Sequence, residues 1–116
     1  MAMFVIRKQT NGQYNFIFTS RKGDPVLTSI NCKQKSDCKM ILKAVLENIE
    51  VFTFTKKNPG PRKFLYRLSK GGLVLATSRT YTTELQVHKA VDYLLSRIPE
   101  AEVLDFSDDD HLFSDS

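Results

Sequence analysis

The 116-residue chain has no tryptophan and only two cysteines, Cys32 and Cys38. Two thiols are too few for the disulfide framework of a small secreted domain, so a reducing cytoplasm is the expected compartment. Long apolar runs are also missing. The longest, residues 1–6, has six residues. A membrane-spanning helix needs about 20, and a signal peptide needs a longer stretch before a small-residue cleavage site. No membrane contact is expected. Histidine is scarce, with His88 and His111 far apart, and the cysteines are six residues apart. That spacing lacks the closely set ligand pairs of a zinc site. Gly71-Gly72 leads into no helix, so no phosphate-cradling loop is present either. No metal or cofactor is expected.

Acidic residues are sparse through most of the chain. Residues 1–98 hold six acids against seventeen Lys and Arg, a net charge of +11. From Pro99 onward there are seven acids and no base. The body thus offers no paired carboxylates for acid–base catalysis, and the chain is expected not to be an enzyme. A basic body with an acidic tail suits an anionic partner, or a tail that competes for the basic surface.

With 41% apolar and 26% charged residues, the chain can build a modest core and is one domain in length. Its strongest internal signal is a repeat. Cys38, Ile41, Leu42, Val45, Leu46 and Ile49 follow the spacing of one helical stripe, and 49 residues later stand Val87, Ala90, Val91, Leu94, Leu95 and Ile98. Thr28-Ser29 becomes Thr77-Ser78 at the same offset, and Tyr14, Phe16 and Phe18 become Phe64, Tyr66 and Leu68 at an offset of 50.

Each unit reads as three strands and a helix. Strands are expected over 4–8, 13–19 and 26–30, then over 51–57, 63–69 and 73–78. Asn11-Gly12, the segment from Gly23 to Pro25, the long turn 58–61 and Gly71-Gly72 join them. Ser36 is the expected cap of the first helix. Thr83 and Gln86 form a capping box for the second, and Pro99 stops it. Residues 102–106 alternate enough for a final strand. Burying one six-residue stripe yields on the order of 10 kcal/mol gross, available only against a sheet face. The economical arrangement is therefore one α+β domain over 1–107, with repeats at about 3–50 and about 51–106. In it, one shared antiparallel sheet carries both helices on one face, and the final strands are exchanged between the repeats. Residues 108–116 form an acidic tail too poor in apolar side chains to order itself.

This pattern resembles the YegP-like family, small bacterial proteins built from one or two copies of a domain of unknown function. Gly12, Tyr14, Phe16, Gly23, Val26 and Ser29 match it in the first copy, and Phe64, Tyr66, Leu68, Gly71, Val74, Ser78 and Tyr81 in the second. Leu42, Val45 and Asn48 match in the first helix, and Ala90, Val91 and Leu94 in the second. The chain departs from the family at Arg62, where the second copy has its first glycine, at Cys32, where the first has a tyrosine, and at Ile41. The resemblance implies an α+β fold of two β-β-β-α-β units, with no activity or cofactor attached.

Two basic clusters are the candidate binding residues. Lys35, Lys39 and Lys43 recur every four residues on the first helix, opposite its apolar stripe, where the second helix has Glu84, His88 and Asp92. Lys56, Lys57, Arg62 and Lys63 surround the long turn of the second copy. The expectation is a non-catalytic binding or protein-interaction role for a monomer. The alternative is a nucleic-acid-binding module that uses these seven side chains on phosphates.

Overall fold

The computed structural model describes residues 3–107; the acidic tail lies outside them. Seven strands form one mixed sheet beside two helices. In chain order they are β1 (Met3–Lys8), β2 (Tyr14–Thr19), β3 (Pro25–Ser29), α1 (Lys35–Glu47), β4 (Thr53–Gly60), β5 (Lys63–Lys70), β6 (Leu73–Ser78), α2 (Glu84–Arg97) and β7 (Glu102–Asp105). The sheet order is β4-β5-β6-β3-β2-β1-β7, so β3 and β6 meet in the middle.

Period-two alternation selects the faces. Phe4, Ile6, Phe16 and Phe18 turn toward the helices and are almost fully buried, as are Tyr66 and Leu68 from β5. Cys38, Leu42 and Val45 of α1 and Val87 and Leu94 of α2 close over them in one core. Phe4 packs against Phe16 and Phe18 at centroid distances of 5.9 and 4.8 Å. Both helices end in a single 3-10 turn, Ile49–Val51 after α1 and Ile98–Glu100 after α2.

The expected antiparallel sheet is corrected to a mixed one, because β7 runs parallel to β1. Strand directions account for this. β4 runs opposite to β3, the strand preceding α1, and β7 runs opposite to β6, the strand preceding α2. β7 therefore reaches the edge of β1 pointing the same way as β1. β4, which follows α1, lies beside β5 at one edge of the sheet, and β7, which follows α2, lies beside β1 at the other, so each strand after a helix pairs away from the strands that precede that helix, as the expected exchange requires.

Three local expectations also change. The cap of α1 is Gln34, without a side-chain hydrogen bond, and not Ser36. The strand expected from residue 51 begins at Thr53, because Ile49–Val51 takes the 3-10 turn first. Most of the turn expected at 58–61 is instead strand: β4 runs to Gly60 through an irregularity after Lys57, and Pro61 and Arg62 make the reversal. Proline sets the first central position of that turn, and Arg62 occupies the second with φ of +56°, a left-handed conformation usually left to glycine. The capping box at Thr83 and Gln86 forms as expected.

Candidate functional site

Two short connections and one helix face build a cavity at the side of the sheet. The β2–β3 turn supplies Arg21 and Lys22. Ser20 fixes that turn: its carbonyl accepts from the Gly23 amide at 2.9 Å, and its hydroxyl accepts from the Lys22 amide at 3.3 Å. Facing it is the β6–α2 connection, residues 79–82. The Arg79 amide donates to the Val26 carbonyl at 3.1 Å, and Tyr81 exchanges backbone bonds with Phe64 at 2.6 and 2.8 Å. The third wall is α2, where Gln86, Lys89, Ala90 and Tyr93 fall on one face by helical spacing. Tyr66 of β5 and Val26 of β3 complete an open cleft of about 680 Å³, within the size range of small-molecule sites.

Its rim is cationic and its interior aromatic. Arg21, Lys22, Arg79 and Lys89 are all exposed side chains. The lining contains no Asp, Glu, His or Cys, and none of the four forms an ion pair among the described residues. The Arg79 guanidinium lies 5.2 Å from the Tyr81 ring centroid. Tyr66 is 1% exposed, and burial first, then its neighbour Tyr81, raises its phenol above the usual range. Burial also raises Tyr81, against the opposing charge of Arg79. Both phenols therefore stay neutral at physiological pH and bring no negative charge to the cavity. Tyr93 packs on Phe18 at 6.1 Å and carries the Arg97 guanidinium 5.2 Å from its ring. Its hydroxyl is buried and has no hydrogen-bond partner among the described residues. Gln86 plays a structural part, because its side-chain oxygen accepts from the amides of Thr82 and Thr83 and from the Thr82 hydroxyl.

The arrangement is suited to holding an anion. Cations surround its mouth, neutral hydroxyl groups line its interior, and no carboxylate competes for the charge.

None of the seven basic residues singled out from the sequence lines this cavity. Lys35 is ion-paired with Asp105 at 2.6 Å, clasping α1 to β7. There burial pushes the Asp105 carboxyl up, but bonds from Lys35 and Ser107 outweigh it and hold the group down at about 2. Lys39 and Lys43 are exposed on α1. Lys56 approaches Glu84 at 3.6 Å. Lys57, Arg62 and Lys63 are exposed on the β4–β5 hairpin. The two clusters remain on separate elements and do not converge.

The cavity residues did leave a trace in the sequence. At the repeat offsets, Phe16 is replaced by Tyr66, Cys32 by Tyr81 and Ala44 by Tyr93, while Ile30 and Met40 become Arg79 and Lys89. Three phenols and two cations thus appear in the second half at positions that are apolar or thiol in the first.

No protein-family model matches the chain, and no curated protein matches it. Two solution NMR structures do resemble it. One is YegP from E. coli, a protein of unknown function, with a TM-score of 0.77 at 19% identity over 91% of this chain and 93% of that one. The other is a UPF0339 protein from Shewanella oneidensis, with a TM-score of 0.81 at 19% identity over 91% and 92% of the two chains. The YegP-like resemblance read from the turns and core residues is matched by the fold.

Proposed function

Starting from a chain with the fold of YegP, we propose that the protein is a non-catalytic binding protein that takes an anionic partner in the cavity between the β2–β3 turn, the β6–α2 connection and α2. The observation that carries this reading is the convergence of Arg21, Lys22, Arg79 and Lys89 on one aromatic-lined cleft that holds no carboxylate among the described residues. The same reading includes a tandem duplication at the origin of the fold and a monomer acting in the cytoplasm. Matched hydrogen bonds support the duplication. Ser29 accepts from the Phe16 amide at 2.8 Å, and Ser78 accepts from the Tyr66 amide at 2.9 Å. The isolated bridges Tyr14–Cys32 and Phe64–Tyr81 correspond in the same way. Only the second copy carries the cavity's tyrosines, so the duplicated halves diverge there.

A polyanion titration at two salt concentrations tests the reading. The wild type binds more weakly as salt rises, and an Arg79→Ala/Lys89→Ala variant binds at least tenfold more weakly than the wild type at low salt. Equal binding by the two proteins refutes it. The exposed cations of the β4–β5 hairpin and α1 favour a second reading, in which the surface contacts nucleic-acid phosphates. Under that reading, Lys39→Ala and Lys63→Ala each lower the slope of log affinity against log salt by about 0.7–0.9.

A further inference from the structure

We propose that the cavity is a nucleoside-phosphate site, its ligand a free nucleotide or the phosphorylated 5′ end of a single strand. This deepens the anion-binding reading and rests on it.

Charge gives the first argument. A carboxylate would neutralise one of the four cations and leave the others repelling one another across the mouth. A phosphate monoester carries about −1.5 to −2 at neutral pH and three acceptor oxygens. Arg21 and Arg79 lie on opposite connections, and each presents the planar fork that grips phosphate through two parallel bonds.

The interior gives the second argument. Beside the cations lie the half-buried rings of Tyr81 and Tyr93 with the aliphatic groups of Val26 and Ala90. A free phosphate would leave that apolar wall wet. A planar base covers it, and base-on-aromatic stacking amounts to roughly 5- to 150-fold in affinity per base.

The third argument is the Tyr93 hydroxyl, buried with no partner among the described residues, on a ring held by Phe18 and Arg97. Buried hydroxyls are nearly always hydrogen-bonded. A ligand that brings a polar edge past the aromatic wall completes this one, as a base or ribose does and an alkyl or phenyl group does not. The open cleft of about 680 Å³ accommodates a ligand of that size.

Calorimetric titration of the full chain tests the proposal with AMP, adenosine, inorganic phosphate, and a tetranucleotide with and without a 5′-phosphate. AMP is expected to bind at least tenfold more tightly than adenosine or phosphate. Arg79→Ala should weaken AMP at least tenfold and Tyr93→Phe about fivefold, while Lys39→Ala leaves it unchanged. Melting curves verify that the variants are folded, and Arg79→Lys keeps the charge without the fork should Arg79→Ala not fold. A phosphorylated tetranucleotide binding more tightly than both AMP and its unphosphorylated form identifies a strand end as the source. Equal binding of AMP and the phosphorylated strand identifies the free nucleotide. Inorganic phosphate binding as tightly as AMP overturns the nucleoside assignment and leaves the anion-binding reading standing. Absence of binding by every anion overturns both. AMP binding indifferent to Arg79→Ala and Tyr93→Phe also overturns the proposal, because it moves the ligand elsewhere.

Discussion

Ser29→Ala and Ser78→Ala should each destabilise the fold by about 2 kcal/mol. Each serine sits in the sheet at 5% and 7% exposure, respectively. Ser29 accepts from the Phe16 amide and donates to the Ile30 carbonyl at 2.9 Å. Ser78 accepts from the Tyr66 amide and donates to the Arg79 carbonyl at 2.7 Å. Removing either hydroxyl leaves a backbone N–H beside a fully buried aromatic residue without its acceptor, and such an orphaned donor costs about 1–3 kcal/mol. The volume lost is one oxygen atom, so the cavity contribution is small. The two sites share no partner, so the double variant should lose about 4 kcal/mol by additivity. With a urea m-value of about 2 kcal/mol/M, each single variant moves the unfolding midpoint by about 1 M. Thr at either position keeps the oxygen and should recover much of the loss. Midpoint shifts below about 0.25 M, or a large loss at one serine and none at the other, would refute the equivalence of the two bonds.

Asp105→Asn tests the clasp between α1 and β7. The Asp105 carboxyl is held down from 3.8 to about 2, so its contribution is present above pH 3.8 and is lost as pH falls through about 2. The shift alone corresponds to roughly 2 kcal/mol. Solvent screening of this partly exposed pair reduces that to about 1 kcal/mol. Stability differences between variant and wild type should therefore approach 1 kcal/mol at pH 6 and vanish near pH 2, and a constant difference across that range contradicts the assignment. Arg62→Gly should stabilise the protein by about 0.5–1 kcal/mol, because relief of the left-handed strain exceeds the added chain entropy. A lower melting temperature in that variant would count against it.

Both helices were legible because a packed helix repeats its apolar positions at 3–4 residue intervals regardless of its partner, and Cys38, Leu42, Val45, Val87 and Leu94 are all buried. The second capping box was legible because its two bonds are local. The direction of β7 was not, since four residues carry no record of whether they will run parallel or antiparallel to the strand they meet. β4 was misread at its end because Pro59 and Gly60 signal a turn by composition, while the chain reverses two residues later. The cavity escaped for a related reason. Its cations come from three separated segments, with two in a turn, one at a strand end and one on a helix, and no spacing rule joins them. The lysines at helical spacing on α1 were conspicuous because they are regular, yet they converge on no enclosure.

The most direct measurement is an NMR titration of the isotopically labelled protein with AMP, following backbone amides. The largest shifts should fall at Arg21, Lys22, Tyr81 and Lys89, with Lys39, Lys43 and Lys63 nearly still. Shifts confined to the α1 lysines and the β4–β5 hairpin, or no shifts at all, would contradict the assignment of the cavity as the binding site.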